Sequence, residues 1–179
     1  MKIAITGHSA GIGQALAQIY TNAGHEIVGL SKREGWNIRN TLKICEQVEP
    51  CDMFINNAQA GYAQTELLFD MARRWKNTEK HIVLISTMMT QLPINQLPGL
   101  DMDHYRVQKV ALEEAVKQLR TRQLGFKLTV VRPGNIATSP DKTVPPAADV
   151  NAWAQTLYGI FDLAHKNNMR VHDISLGPA

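Results

Sequence analysis

Short apolar runs alternate along the chain with longer amphipathic segments. Six of the runs have the length of β-strands: Lys2–Thr6, Glu26–Leu30, Met53–Asn56, His81–Ser86, Leu128–Arg132 and Arg170–Ile174. Most of them are continuously apolar, as strands buried on both faces of a sheet are. Five segments between the strands have helical spacing of apolar residues: Ile12–Ala23, Thr41–Glu49, Gln64–Lys76, Tyr105–Gln123 and Val150–Lys166.

Strands that alternate with helices predict an α/β fold. We expect one doubly wound parallel sheet of the Rossmann type, with helices on both faces and right-handed crossovers. A length of 179 residues suits a single domain that covers the whole chain, residues 1–179. The segments Met88–Leu100 and Ser139–Asp149 are rich in proline and lack periodicity, so we expect them to be the least ordered.

Composition excludes several classes of function. The net charge of +3 is small and the basic residues are scattered, so nothing indicates a nucleic-acid partner. No apolar run is long enough to span a membrane, and the chain enters a strand at once without a secretion signal, so we expect a cytoplasmic protein. Cys45 and Cys51 lack the spacing of a metal site, and we interpret them as reduced thiols, with no metal site expected.

A glycine-rich segment, Thr6–Gly13, follows the first predicted strand and opens the first helix. In a dinucleotide site, one glycine makes the tight turn, one lets the backbone approach a pyrophosphate and one lets helix and strand pack closely. Gly7, Gly11 and Gly13 can supply these functions, and the Ser9 hydroxyl can bond a phosphate or ribose oxygen. The alternative is a tight strand-to-helix connection without a ligand.

The end of the second strand indicates which dinucleotide is bound. An acidic residue there would hold the ribose of NAD, whereas a basic group accommodates the 2′-phosphate of NADP. The chain has Ser31, Lys32 and Arg33 at this point, and Glu34 comes one position too late to be the obvious ribose ligand. We therefore expect NADPH in preference to NADH, the alternative being a solvated basic turn.

Tyr105 and Lys109 are four residues apart in a predicted helix, which places them on the same helical face. An ammonium group beside a phenol favours the phenolate, so the phenol becomes a better acid near neutral pH. Many exposed helices have such a pair. Together with the glycine-rich segment, however, it indicates a nicotinamide-dependent oxidoreductase.

Four motifs in this order resemble the short-chain dehydrogenase/reductase family. They are Thr6–Gly13 (TGxxxGIG), Asn56–Ala58 (NNAG), the pair Tyr105 and Lys109 (YxxxK), and Arg132–Thr138 (PGxxxT). The resemblance covers nearly the whole chain. With the reasoning above, it implies cofactor contacts from Gly7, Ser9, Gly11, Ile12, Gly13, Ser31, Lys32, Arg33, Asn37, Asn57, Ala58, Tyr105, Lys109, Pro133, Gly134, Ile136 and Thr138.

The resemblance also implies the catalytic roles. Tyr105 would donate a proton to the carbonyl oxygen, and Lys109 would lower the pKa of the phenol and bind the nicotinamide ribose. A hydroxyl at the end of the fourth strand would hold the carbonyl. The alignment gives this role to Thr87, with Ser86 as the alternative, and the hydroxyl that is not used would cap the strand end.

The chain departs from the family pattern at several points. It is shorter than usual members, because one crossover helix is missing and the third strand is reduced to a residual strand around Trp36–Ile38. An aspartate that usually meets the adenine amine is replaced by Asn37. No asparagine matches the one of the family's proton relay, and Gln64 and Asn57 are the candidates to hold a relay water.

The predicted function is therefore an NADPH-dependent reductase or dehydrogenase acting on a small carbonyl or alcohol. The alternative is a non-catalytic dinucleotide-binding sensor, whereas a sugar-nucleotide epimerase would need a further C-terminal domain. Six apolar residues suggest the wall of a substrate pocket, the alternative being ordinary packing: Met88, Met89, Leu97, Leu100, Pro140 and Trp153. A homodimer or homotetramer is suggested by apolar stripes of two helices, formed by Leu67, Leu68, Met71, Ala111, Leu112, Ala115, Val116 and Leu119, unless these serve only the core.

Overall fold

A parallel sheet organises the fold, and the computed structural model describes residues 1–92, 102–138 and 146–178. The strands of this sheet are β1 (Lys2–Thr6), β2 (Glu26–Leu30), β3 (Met53–Asn56), β4 (His81–Ile85), β5 (Lys127–Pro133) and β8 (Asp173–Leu176). Their order is β2-β1-β3-β4-β5-β8, and every neighbouring pair is parallel. A short parallel pair, β6 (Ile136–Ala137) and β7 (Ala148–Asp149), lies outside it.

Helices cover both faces of the sheet, which confirms the predicted doubly wound α/β fold. They are α1 (Gly11–Asn22), α2 (Thr41–Val48), α3 (Ala63–Arg74), α4 (Asp103–Arg120) and α5 (Val150–Lys166), with 3-10 helices at Lys32–Glu34 and Met88–Gln91. The five predicted helices are confirmed, with ends that differ from the prediction by less than one turn. Of the segments predicted to be least ordered, residues 93–100 and 139–145 lie outside the described residues.

Two of the predicted strand positions are wrong. No strand forms around Trp36–Ile38, because Gly35 turns the chain with a φ of 86° and the segment then leads directly into α2. The last strand begins at Asp173, not at Arg170, because its register is set by pairing with the end of β5. The side chains of β8 alternate between exposed and half-buried positions, so the apolar run that predicted it does not mark its limits.

The core has one layer on each side of the sheet. Side chains such as Phe54, Leu84 and Val130 pack against α2, α3 and α4, and side chains such as Ile55 and Val83 pack against α1 and α5. Consecutive strand residues point to opposite faces, so strands buried on both sides must be apolar throughout. This burial explains the continuous apolar runs of the sequence.

The apolar stripes of α3 and α4 are part of the monomer core. Leu67, Leu68 and Met71 are fully buried, and Leu112 and Val116 are 1% exposed, all within the layer that covers the sheet. The stripes are therefore explained without a second subunit. No helix among the described residues is long and apolar enough to cross a bilayer.

Candidate functional site

The glycine-rich loop lies at the topological switch point of the sheet, where the strands that come next in the chain lie on opposite sides of β1. The strand β1 has β2 on one side and β3 on the other, so the loops that follow these strands leave a crevice at their carboxyl ends. Ligands of open α/β sheets bind at such a switch point. The loop between β1 and α1 lines this crevice through Gly7, Ser9 and Ala10.

Two glycines of the loop have backbone angles that favour glycine, and the third allows close packing. Gly7 has a φ of 71° and Gly11 a φ of 53°. A β-carbon on Gly13 would lie 2.3 Å from the Gly7 carbonyl oxygen, so only glycine lets α1 approach the turn this closely. Ile12, between them, is half-buried against the sheet.

The first turn of α1 offers an anion site. Its N-cap residue, Ala10, makes no side-chain capping bond, and the turn has no acidic residue. The first N–H groups of a helix have no partner within the helix, and the helix dipole gives that end a partial positive charge. A phosphate or pyrophosphate therefore fits here.

Thr6 connects the glycine-rich loop to the segment that follows β3. Its hydroxyl oxygen accepts hydrogen bonds from the backbone N–H groups of Asn57 (2.9 Å) and Ala58 (3.1 Å). The side-chain amide of Asn57 donates to the Thr6 carbonyl oxygen at 2.9 Å. Sequence reasoning assigned Asn57 and Ala58 to the cofactor but gave no role to Thr6, whose hydroxyl fixes both.

A cavity of about 540 Å³ continues from the loop along the end of β2. It is lined by Gly7, Ser9, Ala10, Leu30, Ser31, Lys32, Arg33, Trp36, Asn37, Ile38, Ala58, Gln59 and Ala60. Trp36 and Ile38 supply apolar surface to this cavity. They were missed as site residues, because the family resemblance placed a residual strand there. Asn37 is exposed, and its side-chain oxygen accepts from the Arg39 backbone N–H at 3.1 Å.

The basic turn after β2 has an engaged hydroxyl and two exposed cations. Ser31 is buried, and its hydroxyl donates to the Glu34 carboxylate at 3.0 Å. The same carboxylate oxygen lies 3.4 Å from His8 Nε2. Lys32 and Arg33 are exposed, and neither side chain has a partner among the described residues. These two cations are available to a ligand.

The segment after β5 closes over the glycine-rich loop. A β-carbon on Gly11 would lie 3.3 Å from the Thr138 β-carbon, so the two motifs are in contact although they are far apart in sequence. Pro133 ends β5, and the Gly134 N–H donates to the Leu176 carbonyl at 2.9 Å. Ile136 is buried in β6.

Lys109 is buried at the carboxyl end of β4. Its ammonium donates to the Ile85 carbonyl at 2.7 Å and to Gln64 Oε1 at 2.8 Å, and it lies 5.6 Å from the centre of the Tyr105 ring. Burial lowers the pKa of Lys109 to about 7, and the Glu113 carboxylate acts in the opposite direction. Near neutral pH the side chain is therefore close to its titration midpoint.

Tyr105 lies in the first turn of α4, beside Thr87. Burial raises the pKa of the Tyr105 phenol, while a hydrogen bond with the Thr87 side chain lowers it by less. The spacing argument predicted a lowered phenol pKa. The structure gives the opposite direction, because burial of the phenol outweighs its hydrogen bond with Thr87. The Lys109 ammonium lies over the ring and bonds Ile85 and Gln64.

Gln64 connects three elements around Lys109. Its amide nitrogen donates to the carbonyl oxygens of Asn56 (2.7 Å) and Ile85 (3.0 Å), and its oxygen accepts from the lysine. The side chain is 2% exposed. Sequence reasoning named Gln64 as a residue that could hold a relay water, and in the structure its side-chain oxygen accepts directly from the ammonium.

Ser86 and Thr87 point to different partners. The Ser86 hydroxyl donates to the Glu113 carboxylate, which also forms an ion pair with Arg132 at 2.9 Å. Thr87, by contrast, neighbours the Tyr105 phenol. The structure thus brings Thr87, Tyr105 and Lys109 together and engages Ser86 elsewhere. Glu113 was missed by sequence reasoning, although it follows Lys109 at the same four-residue spacing.

Of the predicted apolar pocket wall, Met88, Met89 and Trp153 lie among the described residues. Met88 packs against Gly134 and Gly177 at the end of the sheet. Trp153 is 3% exposed in the core, and its indole N–H donates to the Leu176 carbonyl at 3.0 Å, so it packs within the monomer and does not line a pocket. Leu97, Leu100 and Pro140 lie outside the described residues.

A larger cavity lies away from all of these motifs. It measures about 870 Å³ and is lined by residues at the amino ends of the strands, among them Asp52, His81 and Lys127. Active sites of open α/β sheets lie at the opposite, carboxyl end. The smaller cavity beside the glycine-rich loop is therefore the better candidate for a cofactor.

Solved structures of low sequence identity share this architecture. A short-chain dehydrogenase/reductase from Vibrio parahaemolyticus matches with a TM-score of 0.73 at 18% identity, over 97% of this chain and 98% of that chain. A short-chain dehydrogenase from Burkholderia cenocepacia J2315 in complex with NADP matches with a TM-score of 0.73 at 15% identity, over 99% and 88% of the two chains. A 3-ketoacyl-(acyl-carrier-protein) reductase from Brucella melitensis complexed with NADH has a TM-score of 0.75 at 13% identity, over 98% and 96%.

Sequence comparison adds nothing to this, since no protein-family model and no curated protein matches the chain. The structural likeness spans almost the full length of the chain and of the neighbours. It agrees with the order of the sheet and with the position of the glycine-rich loop. The chain has the fold of the short-chain dehydrogenases and reductases.

Proposed function

We propose that the chain is an NADPH-dependent oxidoreductase of the short-chain dehydrogenase/reductase type, which reduces a carbonyl or oxidises an alcohol of a small molecule. The observation that carries the proposal is the meeting of Thr87, Tyr105 and Lys109 at the carboxyl end of β4, on the side of the parallel sheet that also carries the glycine-rich loop. Carbonyl reduction is aided by a positioned proton donor, and the family resemblance gives the hydroxyl the role of holding the carbonyl and the ammonium that of binding the ribose. The whole chain, residues 1–179, would act as one dinucleotide-binding domain.

The residues present fit a dinucleotide. The pyrophosphate would be held by the Gly7–Gly13 loop and the uncapped first turn of α1, and the adenosine by the cavity that Trp36 and Ile38 line. When bound, the nicotinamide supplies the hydride, and the protein supplies position and proton transfer. By the family resemblance, Asn57 and Ala58 would line the adenosine side, and the Pro133–Thr138 segment would border the nicotinamide half.

Tyr105 would give its proton to the carbonyl oxygen. The raised pKa of the phenol keeps that proton in place near neutral pH, which suits a donor in the direction of reduction. The Thr87 hydroxyl would hold the same carbonyl oxygen, while Lys109 would bond the nicotinamide ribose. Gln64 and the Ile85 carbonyl fix the lysine in position.

The preference for NADPH is supported by the turn after β2. Lys32 and Arg33 are exposed and line the adenosine cavity, whereas the Glu34 carboxylate faces Ser31 and His8. Cations neutralise a 2′-phosphate through charge-assisted hydrogen bonds. The neighbours named above were solved with NADP in one case and NADH in another, so the preference rests on Lys32 and Arg33.

Two further parts of the proposal concern the context of the protein. A cytoplasmic location is supported by Cys45 and Cys51, which are buried free thiols. A homodimer or homotetramer is supported by Val107 and Val110, which are exposed on the outer side of α4 at 53% and 41%.

The test is NADPH oxidation with a panel of small aldehydes and ketones. The Tyr105→Phe variant keeps the ring but loses the proton, so turnover should fall by about 10²–10⁴-fold while NADPH still binds. Tyr158→Phe, on α5 and beside Tyr20, is the matched control and should keep full turnover. Tight NADPH binding without turnover on the panel would favour the non-catalytic sensor, and undiminished turnover of Tyr105→Phe would reject the mechanism.

A further inference from the structure

Glu113 extends the helical face that carries the two proposed catalytic residues. It follows Lys109 by four residues, as Lys109 follows Tyr105, so the three side chains lie on successive turns of one face of α4. The side chain of Glu113 is 12% exposed. A carboxylate buried to this extent is rare unless it is paired. The proposed reaction gives it no role so far.

The partners that the described residues give the Glu113 carboxylate all carry O–H or N–H groups. The Ser86 hydroxyl donates to it, and the Thr90 hydroxyl lies 2.9 Å from the same oxygen. Arg132 donates through Nε at 3.0 and 3.1 Å and through a terminal nitrogen at 2.9 Å. An ionised carboxylate is acceptor-only, whereas a glutamine would direct an N–H₂ group at one of these donors. The site therefore requires a carboxylate and not merely a polar side chain.

Three residues of α4 contact three consecutive residues at and after the end of β4. Lys109 bonds the Ile85 carbonyl, Glu113 accepts from Ser86, and Tyr105 meets Thr87. The chain then enters the 3-10 helix Met88–Gln91, where the Thr90 hydroxyl also lies 2.8 Å from the Thr87 carbonyl oxygen. Glu113 thus holds the residue before Thr87 and the turn after it.

We propose that Glu113 is a positioning residue: by holding Ser86 and Thr90 on either side of Thr87, it fixes the Thr87 hydroxyl opposite the Tyr105 phenol. The Arg132 ion pair anchors the carboxylate, and Arg132 is itself paired with Asp173 of β8 at 3.0 Å. The catalytic consequence of this inference rests on the proposed function. A misplacement of a reacting group by about 1 Å can lower a rate by about 10²-fold, so this support matters for turnover.

The kinetic test is a double-mutant cycle of Glu113→Gln and Thr87→Val. Glu113→Gln should lower kcat by about tenfold or more, and Glu114→Gln, its exposed neighbour paired with Lys117, should leave kcat unchanged. If Glu113 acts through Thr87, adding Glu113→Gln to Thr87→Val should lower kcat no further. Multiplying losses in the double variant would show a general structural role and overturn the proposal.

A second variant covers the case in which Glu113→Gln does not fold. The double substitution Ser86→Ala with Thr90→Val keeps the Glu113–Arg132 pair but removes the two hydroxyl groups beside the carboxylate, together with the contact of Thr90 with the Thr87 carbonyl oxygen. This variant should lower kcat as Glu113→Gln does, and should lower kcat no further when it is combined with Thr87→Val. Full activity of this variant would contradict the inference.

Amide hydrogen exchange tests the positioning without any turnover. The Met89 N–H donates to the Thr87 hydroxyl oxygen at 3.3 Å, and the Thr90 N–H donates to the Thr87 carbonyl at 3.3 Å. Both amides should exchange faster in Glu113→Gln, or in the hydroxyl double variant, and at the parent rate in Glu114→Gln. A parent protein without turnover would reject the proposed function, while unchanged exchange would reject the positioning role of Glu113.

Discussion

Lys109→Met should remove a pH dependence of folding stability that the buried lysine causes. The pKa of Lys109 is lowered from 10.5 to about 7 by burial. Between these two values the unfolded chain holds a proton that the folded protein has released. Stability rises with pH wherever the unfolded state binds more protons, so the lysine makes the folded state more stable as the pH rises above about 7.

The size of the effect follows from the two pKa values. Each unit of difference corresponds to about 1.4 kcal/mol, and the lysine is half-deprotonated in the folded protein at its pKa. Integration from about pH 7 to about pH 8.5 gives a gain in unfolding free energy of about 1.6 kcal/mol.

The assay is urea unfolding of the parent and of Lys109→Met at several pH values in this interval. The difference between the two unfolding free energies removes the contributions of all other groups and should change by about 1.6 kcal/mol. Lys117→Met, an exposed lysine on the same helix, is the matched control and should show no such change. A constant difference for Lys109→Met across the interval would refute the depressed pKa, and with it the neutral fraction of Lys109 near pH 7.

The other predictions concern the cofactor, the catalytic hydroxyl and assembly. NADPH should bind more tightly than NADH, and Lys32→Ala with Arg33→Asp should remove that preference. Each charge-assisted hydrogen bond to the 2′-phosphate is worth about 1.5–3 kcal/mol. Equal affinities of the parent protein for the two cofactors, measured by titration, would contradict the predicted preference. Thr87→Val should lower kcat by about tenfold or more. Ser86→Ala should lower kcat much less, because Thr90 and Arg132 still hold Glu113. The reverse ranking would make Ser86 the residue that holds the carbonyl. Sedimentation at micromolar concentration should show an oligomer, which Val110→Glu should dissociate. A parent protein that sediments as a monomer would exclude the proposed oligomer.

The sequence was sufficient for the six strands of the main sheet and the five helices, in their order along the chain. Buried strands are continuously apolar and the helices are amphipathic, so local pattern predicts both, and the alternation predicts a parallel sheet. The glycine-rich loop is also a local feature, because the backbone angles of Gly7 and Gly11 arise within one turn. The pairing of Tyr105 with Lys109 needs only a helix, so their common face was predictable.

Only the tertiary structure decided how the site is supported. Gln64 bonds Lys109 over 45 positions of sequence, and Arg132 pairs with Glu113 from a different element, so no local pattern reveals either interaction. The pKa of Tyr105 changes in the direction opposite to the one that spacing predicts, because burial depends on which elements pack around the ring. The choice between Ser86 and Thr87 has the same origin: both follow the end of β4, and the packing of α4 against that end brings Glu113 to Ser86 and the Tyr105 phenol to Thr87.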